Sequence, residues 1–253
     1  MKRPTIAIAI LLLAGAALLP LQLRLQNDRH KEGLESTALD LSVRDRISQM
    51  GFLAALSGFR SFVAAVLWID AHVAWENTDW AKMLSLLQTV TTLQPHSIPY
   101  WDTASWHMAW NASAAAIDDK SQPSEALRRR SQRQYIEIGK QFLEDGIKNN
   151  PDSATLRERL GMVERDKLED HCAAADAFKK GSELPDARPY LARMAAYELA
   201  KCPGREQEAY SELRRLYDMG ENQRMPAVIA RLKELEEKLG IPEDQRIKDT
   251  LEQ

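Results

Sequence analysis

Pro151 and Pro185 stand 34 positions apart, and Pro95 precedes Pro151 by that interval with 22 residues inserted. Each proline closes a stretch of helical spacing, because its ring removes a backbone donor and clashes with the preceding turn. The interval constrains the chain to units of two helices and a turn, a period that marks stacked repeats. Only 11 glycines and 11 prolines occur in 253 residues, too few for the many turns of a sandwich or barrel. With 44% hydrophobic and 28% charged residues, the chain has enough apolar material for a core. The spacing therefore predicts an all-α protein.

The residues fit that frame unit by unit. In the first, 61–95, helix A covers 61–76 with Ala71 at the crossing with its sister helix. Asn77-Thr78-Asp79 is the turn, with Asp79 or Thr78 a candidate N-cap, and helix B covers 80–93. In the second, 98–151, a polar insertion over 118–131 separates helix A (98–116) from helix B (132–148). The third, 153–185, carries Leu160-Gly161 in helix A and Ala174, Phe178 and Gly181 in helix B. The fourth, 188–219, has helix A over 189–201 and helix B over 205–219, with Ala209 at its small position. Beyond it, 225–253 reads as capping helices. Val228, Ile229, Leu232, Leu235 and Leu239 form an apolar stripe there, Lys and Glu cover the other side, and Gly240 is the C-cap.

From 61 to 219 the chain resembles a tetratricopeptide-repeat protein. Over 58–111, with Gly58-Phe59-Arg60, Leu67-Trp68-Ile69, Leu93-Gln94-Pro95, Trp101-Asp102 and Trp106-x-x-Ala109-x-Asn111, it is similar to a family of bacterial membrane-anchored repeat proteins. The resemblance implies a right-handed α-solenoid of helix pairs that docks other proteins. It implies no enzymatic activity.

Residues 5–23 carry no charge and follow Lys2 and Arg3. Such a run is close to the roughly 20 residues that span a bilayer. We expect 1–25 to be an uncleaved transmembrane anchor. A cleaved signal peptide is the alternative, since Ala14-Gly15-Ala16 offers a peptidase its small-residue pattern. Residues 26–42 read as a linker and 43–253 as the helical domain. A short basic tail ahead of the first apolar helix favours the N-terminus inside the cell. The expected location is the cell membrane, single-pass, with the domain extracytoplasmic (periplasmic). Without 1–25 the formal charge falls from −3 to −6, which does not favour an anionic lipid surface. Ile47, Met50, Leu53, Ala54 and Leu56 recur at helical spacing before the apolar stretch 58–69. A second span over 50–69 would place Arg60 at its centre, at about 2.5–3.5 kcal/mol. Two helices of the domain are the expected reading, with a re-entrant or peripheral segment as the alternative.

The acidic balance argues against nucleic acid, whose affinity rests on a basic field. The partners expected are other proteins in a membrane or extracytoplasmic complex, with the membrane reached through the N-terminal helix. Two cysteines exclude a four-Cys zinc site. In the solenoid that the resemblance implies, helix A of one unit runs antiparallel to helix B of the unit before. Cys172, early in helix B of the third unit, and Cys202, at the end of helix A of the fourth, would then meet. They are a disulfide candidate, and two independent core cysteines are the alternative. His30, His72, His96, His107 and His171 form no metal-binding pair, so no metal site is expected. No nucleophile elbow, phosphate-cradling loop or Cys-x-x-Cys is present, so the chain reads as a non-enzyme without cofactor. Arg128, Arg129, Arg130 and Arg133 read as a solvated helix face paired to Glu125 and Glu137.

All six tryptophans, Trp68, Trp75, Trp80, Trp101, Trp106 and Trp110, fall within 43 residues. They either fill helix-pair grooves or, with Arg60, form an aromatic surface that receives a partner. Trp and Arg dominate the energetics of many interfaces. The function expected is a membrane-anchored scaffold or adaptor. A binding domain for a small aromatic or amphipathic ligand, built on the same tryptophans, is the alternative.

Overall fold

The computed structural model describes residues 58–248. The chain divides into two compact units, 1–46 and 47–253, and every described residue belongs to the second. The expected anchor, the linker and the start of the helical domain lie outside the described residues. Among the described residues the fold is all-helical, and no helix is long and apolar enough to cross a membrane.

The first pair is α1 (Arg60–Glu76) and α2 (Trp80–Leu93). Next come α3 (Ile98–Trp106), a π-helical segment (His107–Ala112) and α4 (Ser113–Asp118), which form one continuous rod, and then α5 (Glu125–Asn149). They are followed by α6 (Ala154–Asp166) and α7 (His171–Ser182), α8 (Leu191–Leu199) and α9 (Glu206–Asp218), and last α10 (Pro226–Lys238).

Three helices, α2, α6 and α7, start on a side chain that caps them. The side chains of Asp79, Ser153 and Asp170 accept the orphan N–H groups of Lys82, Leu156 and Ala173. Pro226 stands at the first position of α10, where no donor is needed. The turns into α2 and α7 are built alike. Thr78 and Glu169 both hold φ at 56°, and each is followed by the capping aspartate.

Tertiary contacts fix the pairing. Gln94 Nε2 donates to Ser61 Oγ at 2.8 Å, which joins the end of α2 to the start of α1. These two helices therefore run antiparallel. Their core faces are Ala64, Leu67, Ala71 and Ala74 on α1 and Met83, Leu86, Leu87 and Val90 on α2. Two ring contacts, Trp68–Tyr100 at 4.8 Å and Trp75–His107 at 5.4 Å, share an offset of 32 residues. Their common step sets α1 and the α3 rod side by side and parallel. Tyr190 and Glu158, also 32 residues apart, are hydrogen-bonded between the α8 cap and α6.

Small residues allow close approach. A Cβ on Gly161 would stand 2.6 Å from the Phe178 ring, and one on Gly139 would meet the Ala109 backbone nitrogen at 2.8 Å. The Leu160-Gly161 pair thus serves the α6–α7 crossing. The last core, under α8, α9 and α10, gathers Leu199, Leu213, Leu216, Val228 and Leu232.

The expected polar insertion over 118–131 is shorter than that. Helix α5 begins at Glu125, so the arginine run lies on a helix. Arg129 bonds Glu125 at 2.7 Å and Arg133 bonds Glu137 at 3.0 Å, both at the i,i+4 spacing that supports an exposed helix.

Candidate functional site

The tryptophans do not share one environment. Trp101 is buried, its Nε1 donates to the Pro95 carbonyl at 2.8 Å, and its ring lies 6.3 Å from that of Phe142. Gly146 makes room for that ring, since a Cβ there would stand 2.8 Å from it. Trp101 is therefore a core residue, and its place in the expected partner surface is corrected. Trp80, the first residue of α2, is half-buried.

The other four tryptophans mark the rod and its neighbour. Trp68 and Trp75 are half-buried on α1, against Tyr100 and His107 respectively. Trp75 also lies 5.0 Å from the His72 ring, so His72, Trp75 and His107 form a chain of three rings. Trp106 is 51% exposed and stacks on Trp110, with centroids 5.0 Å apart and planes 15° apart. Lys167 Nζ lies 5.4 Å from the centre of the Trp110 ring, within cation–π range. Arg60 is exposed at the first residue of α1, two turns before Trp68.

The π segment carries this cluster. A π turn inserts one extra residue and rotates the positions after it, a change often found at functional sites. Here it spans His107–Ala112 and buries Met108, Ala109 and Ala112. Asn111 Nδ2 lies 3.0 Å from His107 Nδ1. Burial, and then the neighbouring His72, push the His107 pKa down from 6.5 to about 4. The ring is neutral near pH 7 and presents an uncharged aromatic edge between Trp75 and Asn111.

A second feature escaped the sequence. A cleft of 540 Å³ opens over α8, with Ala192, Ala195 and Ala196 along it and charged residues of α7 and α9 on its walls. Arg205 bonds Asp176 at 2.8 Å, and Lys179 bonds Glu208 at 3.1 Å, so its walls are tied across α7 and α9. The hydrogen bond to Glu208 holds Lys179 above its ordinary pKa, and hydrogen bonds from Arg205 and then Lys179 hold Glu208 below its own. The cleft has no tryptophan in its lining. Its alanines look like packing positions in the sequence, and nothing in their spacing announces a cavity.

Cys172 and Cys202 form a disulfide, with Cα atoms 5.2 Å apart. The bond joins the start of α7 to the residues just beyond α8, so these two helices also run antiparallel. Beside it, His171 Nδ1 and Glu198 Oε2 lie 2.7 Å apart, and Lys201 bonds Glu198 at 3.0 Å. Among the described residues, no cluster of His, Cys, Asp and Glu could hold a metal ion. Comparison with family models finds no match, and comparison with curated proteins finds no significant relative.

Proposed function

We propose that this chain is a membrane-anchored scaffold or adaptor of the tetratricopeptide-repeat type. Its helix pairs would stack as a right-handed α-solenoid and dock a protein partner on the aromatic face of the second unit. The observation that carries the reading is Trp106. It keeps half its surface in water while stacked on Trp110, beside a core that had room for Trp101. A large ring held rigid by a neighbour and left exposed loses little conformational freedom on binding and offers much area to bury.

Other features support parts of this reading. The alike turns at Thr78-Asp79 and Glu169-Asp170 fit a repeated unit. The parallel placement of α1 and α3 fits stacked first helices. The disulfide fits a domain in an oxidising compartment, on the far side of the membrane from the cytoplasm. The uncharged run at 5–23 supplies an anchor of spanning length.

The test compares wild type with Trp106→Ala after purification from detergent-solubilised membranes. The substitution is expected to leave the melting temperature nearly unchanged and to abolish co-purification of a defined protein. Unchanged co-purification, or a variant that fails to fold, would remove Trp106 from the docking surface.

A further inference from the structure

The cleft over α8 has a closed end and an open one. The disulfide sets the start of α7 beside the end of α8. At the other end of α8, Arg193 Nη1 donates to Gln223 Oε1 at 2.6 Å, which brings the segment that follows α9 to its first turn. α7 and α9 therefore run parallel to each other along either side of α8. Towards their starts the gap between them is strapped by long side chains. Arg205 reaches Asp176 at 2.8 Å, and Lys179 reaches Glu208 at 3.1 Å and Glu212 at 3.6 Å. One turn farther along α7 the straps stop. Among the described residues no ion pair joins Glu183, at the end of α7, to α9, and Arg215 turns back to Glu212 on its own helix at 2.9 Å.

Floor and mouth differ in chemistry. Ala192, Ala195, Ala196 and Leu199 of α8 make an apolar floor. The open mouth carries two guanidinium groups, Arg188 and Arg215, with side chains 59% and 55% exposed. Arg188 uses only Nη1, which donates to the Tyr190 hydroxyl at 3.1 Å and lies 3.8 Å from Glu158. Its Nε and Nη2 make no hydrogen bond among the described residues. These are the two parallel donors that a carboxylate accepts side-on. The lining holds four basic side chains and three acidic ones, a local excess of positive charge in a chain of net charge −3.

We infer that this cleft binds a medium-chain aliphatic carboxylate, its hydrocarbon tail on the alanine floor of α8 and its head group on Nε and Nη2 of Arg188. The volume of 540 Å³ is that of a small-ligand site. From Ala192 to Leu199 the helix rises about 10 Å. An extended chain gains about 3.5 Å for every three bonds, so a tail of about ten carbons covers the floor. The straps over the closed end are part-exposed ion pairs, which are weak enough to part for the tail. This site is separate from the tryptophan surface, and its test leaves Trp106 untouched, so either reading can fail without the other.

Two other occupants are less well matched. A peptide laid along the floor would press its N–H and C=O groups against alanine methyls, which offer them no partners. A hydrocarbon chain has no such groups to satisfy. A cationic amphiphile would face Arg188 and Arg215 at the mouth, with only Glu183 in its favour there.

Photolabelling of the full-length protein in zwitterionic lipid discs tests the site. The probe is decanoate with a diazirine near its tail end, and trypsin releases most of the floor as peptide 194–201, by cleavage at Arg193 and Lys201. Saturable labelling of that peptide is expected, displaced by excess decanoate. Decanol, the same chain without the charge, should displace it about ten-fold less well, the worth of one charge-assisted hydrogen bond. Ala192→Phe, which fills the floor, should abolish the label, and Arg188→Lys, which keeps the charge and loses the fork, should weaken it at an unchanged melting temperature. If either variant fails to fold, the comparison of decanoate with decanol on wild type decides. Labelling that does not saturate, or equal displacement by decanol, would overturn the inference. Better displacement by decyltrimethylammonium would overturn it in favour of a cation read by Glu183, and better displacement by an acetylated Ala-Leu dipeptide would overturn it in favour of a peptide terminus.

Discussion

Asn150 and Pro95, 55 residues apart, are joined by a hydrogen bond from Asn150 Nδ2 to the Pro95 carbonyl at 2.9 Å. Trp101 Nε1 donates to the same oxygen at 2.8 Å. His96 Nδ1 lies 3.0 Å from the Asn149 carbonyl in the same corner. The prolines and asparagines at the ends of α2 and α5 therefore do more than stop helices. Their freed backbone groups hold one unit to the next, so closure within a unit and stacking between units rest on the same residues.

This shared acceptor yields a coupling prediction. Asn150→Ala and Trp101→Phe each leave the Pro95 oxygen one donor, so each hydrogen-bond loss should cost about 1 kcal/mol, plus the packing changes of its own side chain. The double variant leaves this part-buried carbonyl with neither donor, and losing the last partner costs more than losing one of two, with about 1–3 kcal/mol as the ceiling that full burial would set. Urea unfolding of the four proteins should show a double loss larger than the sum of the single losses. Strict additivity would mean that the two bonds act independently.

The disulfide gives the second prediction. It closes a loop between Cys172 and Cys202, a separation of 30 residues. On the chain-entropy account, that closure contributes about 3–4 kcal/mol. Reductant should lower the urea midpoint of the wild type and leave a Cys172→Ser, Cys202→Ser double variant unmoved. Thiol labelling of protein denatured without reductant should find neither cysteine free. Two free thiols in protein never exposed to reductant would argue for independent cysteines and against an oxidising compartment.

Helix positions were legible because their signals are local. A proline beyond the first turn stops a helix and one at its start opens it, as Pro226 does, and Asp79 and Asp170 cap from their own backbone positions. The start of α5 was legible only in part: the pairing of the arginines to Glu125 and Glu137 on a helix face is there in the sequence, but without an apolar stripe over 125–131 those residues read as part of an insertion. The tryptophans show the limit for sites. Trp101 and Trp106 are the same residue type on the same helix, one buried and the other half in water. What separates them is Gly146, 45 residues after Trp101, which admits the Trp101 ring. One further signal lies in the sequence. Trp68 and Trp75 are seven residues apart, as are Tyr100 and His107, and this matched step foretells the two ring contacts.

His107 supplies the last prediction, a pH dependence whose sign follows from its surroundings. Burial, then the facing His72, lower its pKa from 6.5 to about 4 in the folded protein. With Asn111 Nδ2 donating to Nδ1, that nitrogen is an acceptor, and protonating it would remove the bond. Between these two pKa values the unfolded chain binds a proton at this position that the folded chain does not. Stability is therefore complete above about pH 6.5, falls as pH drops towards 4, and loses nothing further at this site below that. The ring is only partly buried, so solvent screening reduces the effect, and the comparison must be made against a variant. His107→Gln keeps a polar side chain without a titrating ring. Urea midpoints measured at about pH 7.5 and about pH 5 should fall more for wild type than for the variant, because the variant has lost the linked proton. Equal falls in both proteins would show that His107 takes up its proton as readily folded as unfolded, which would refute the neutral ring between Trp75 and Asn111.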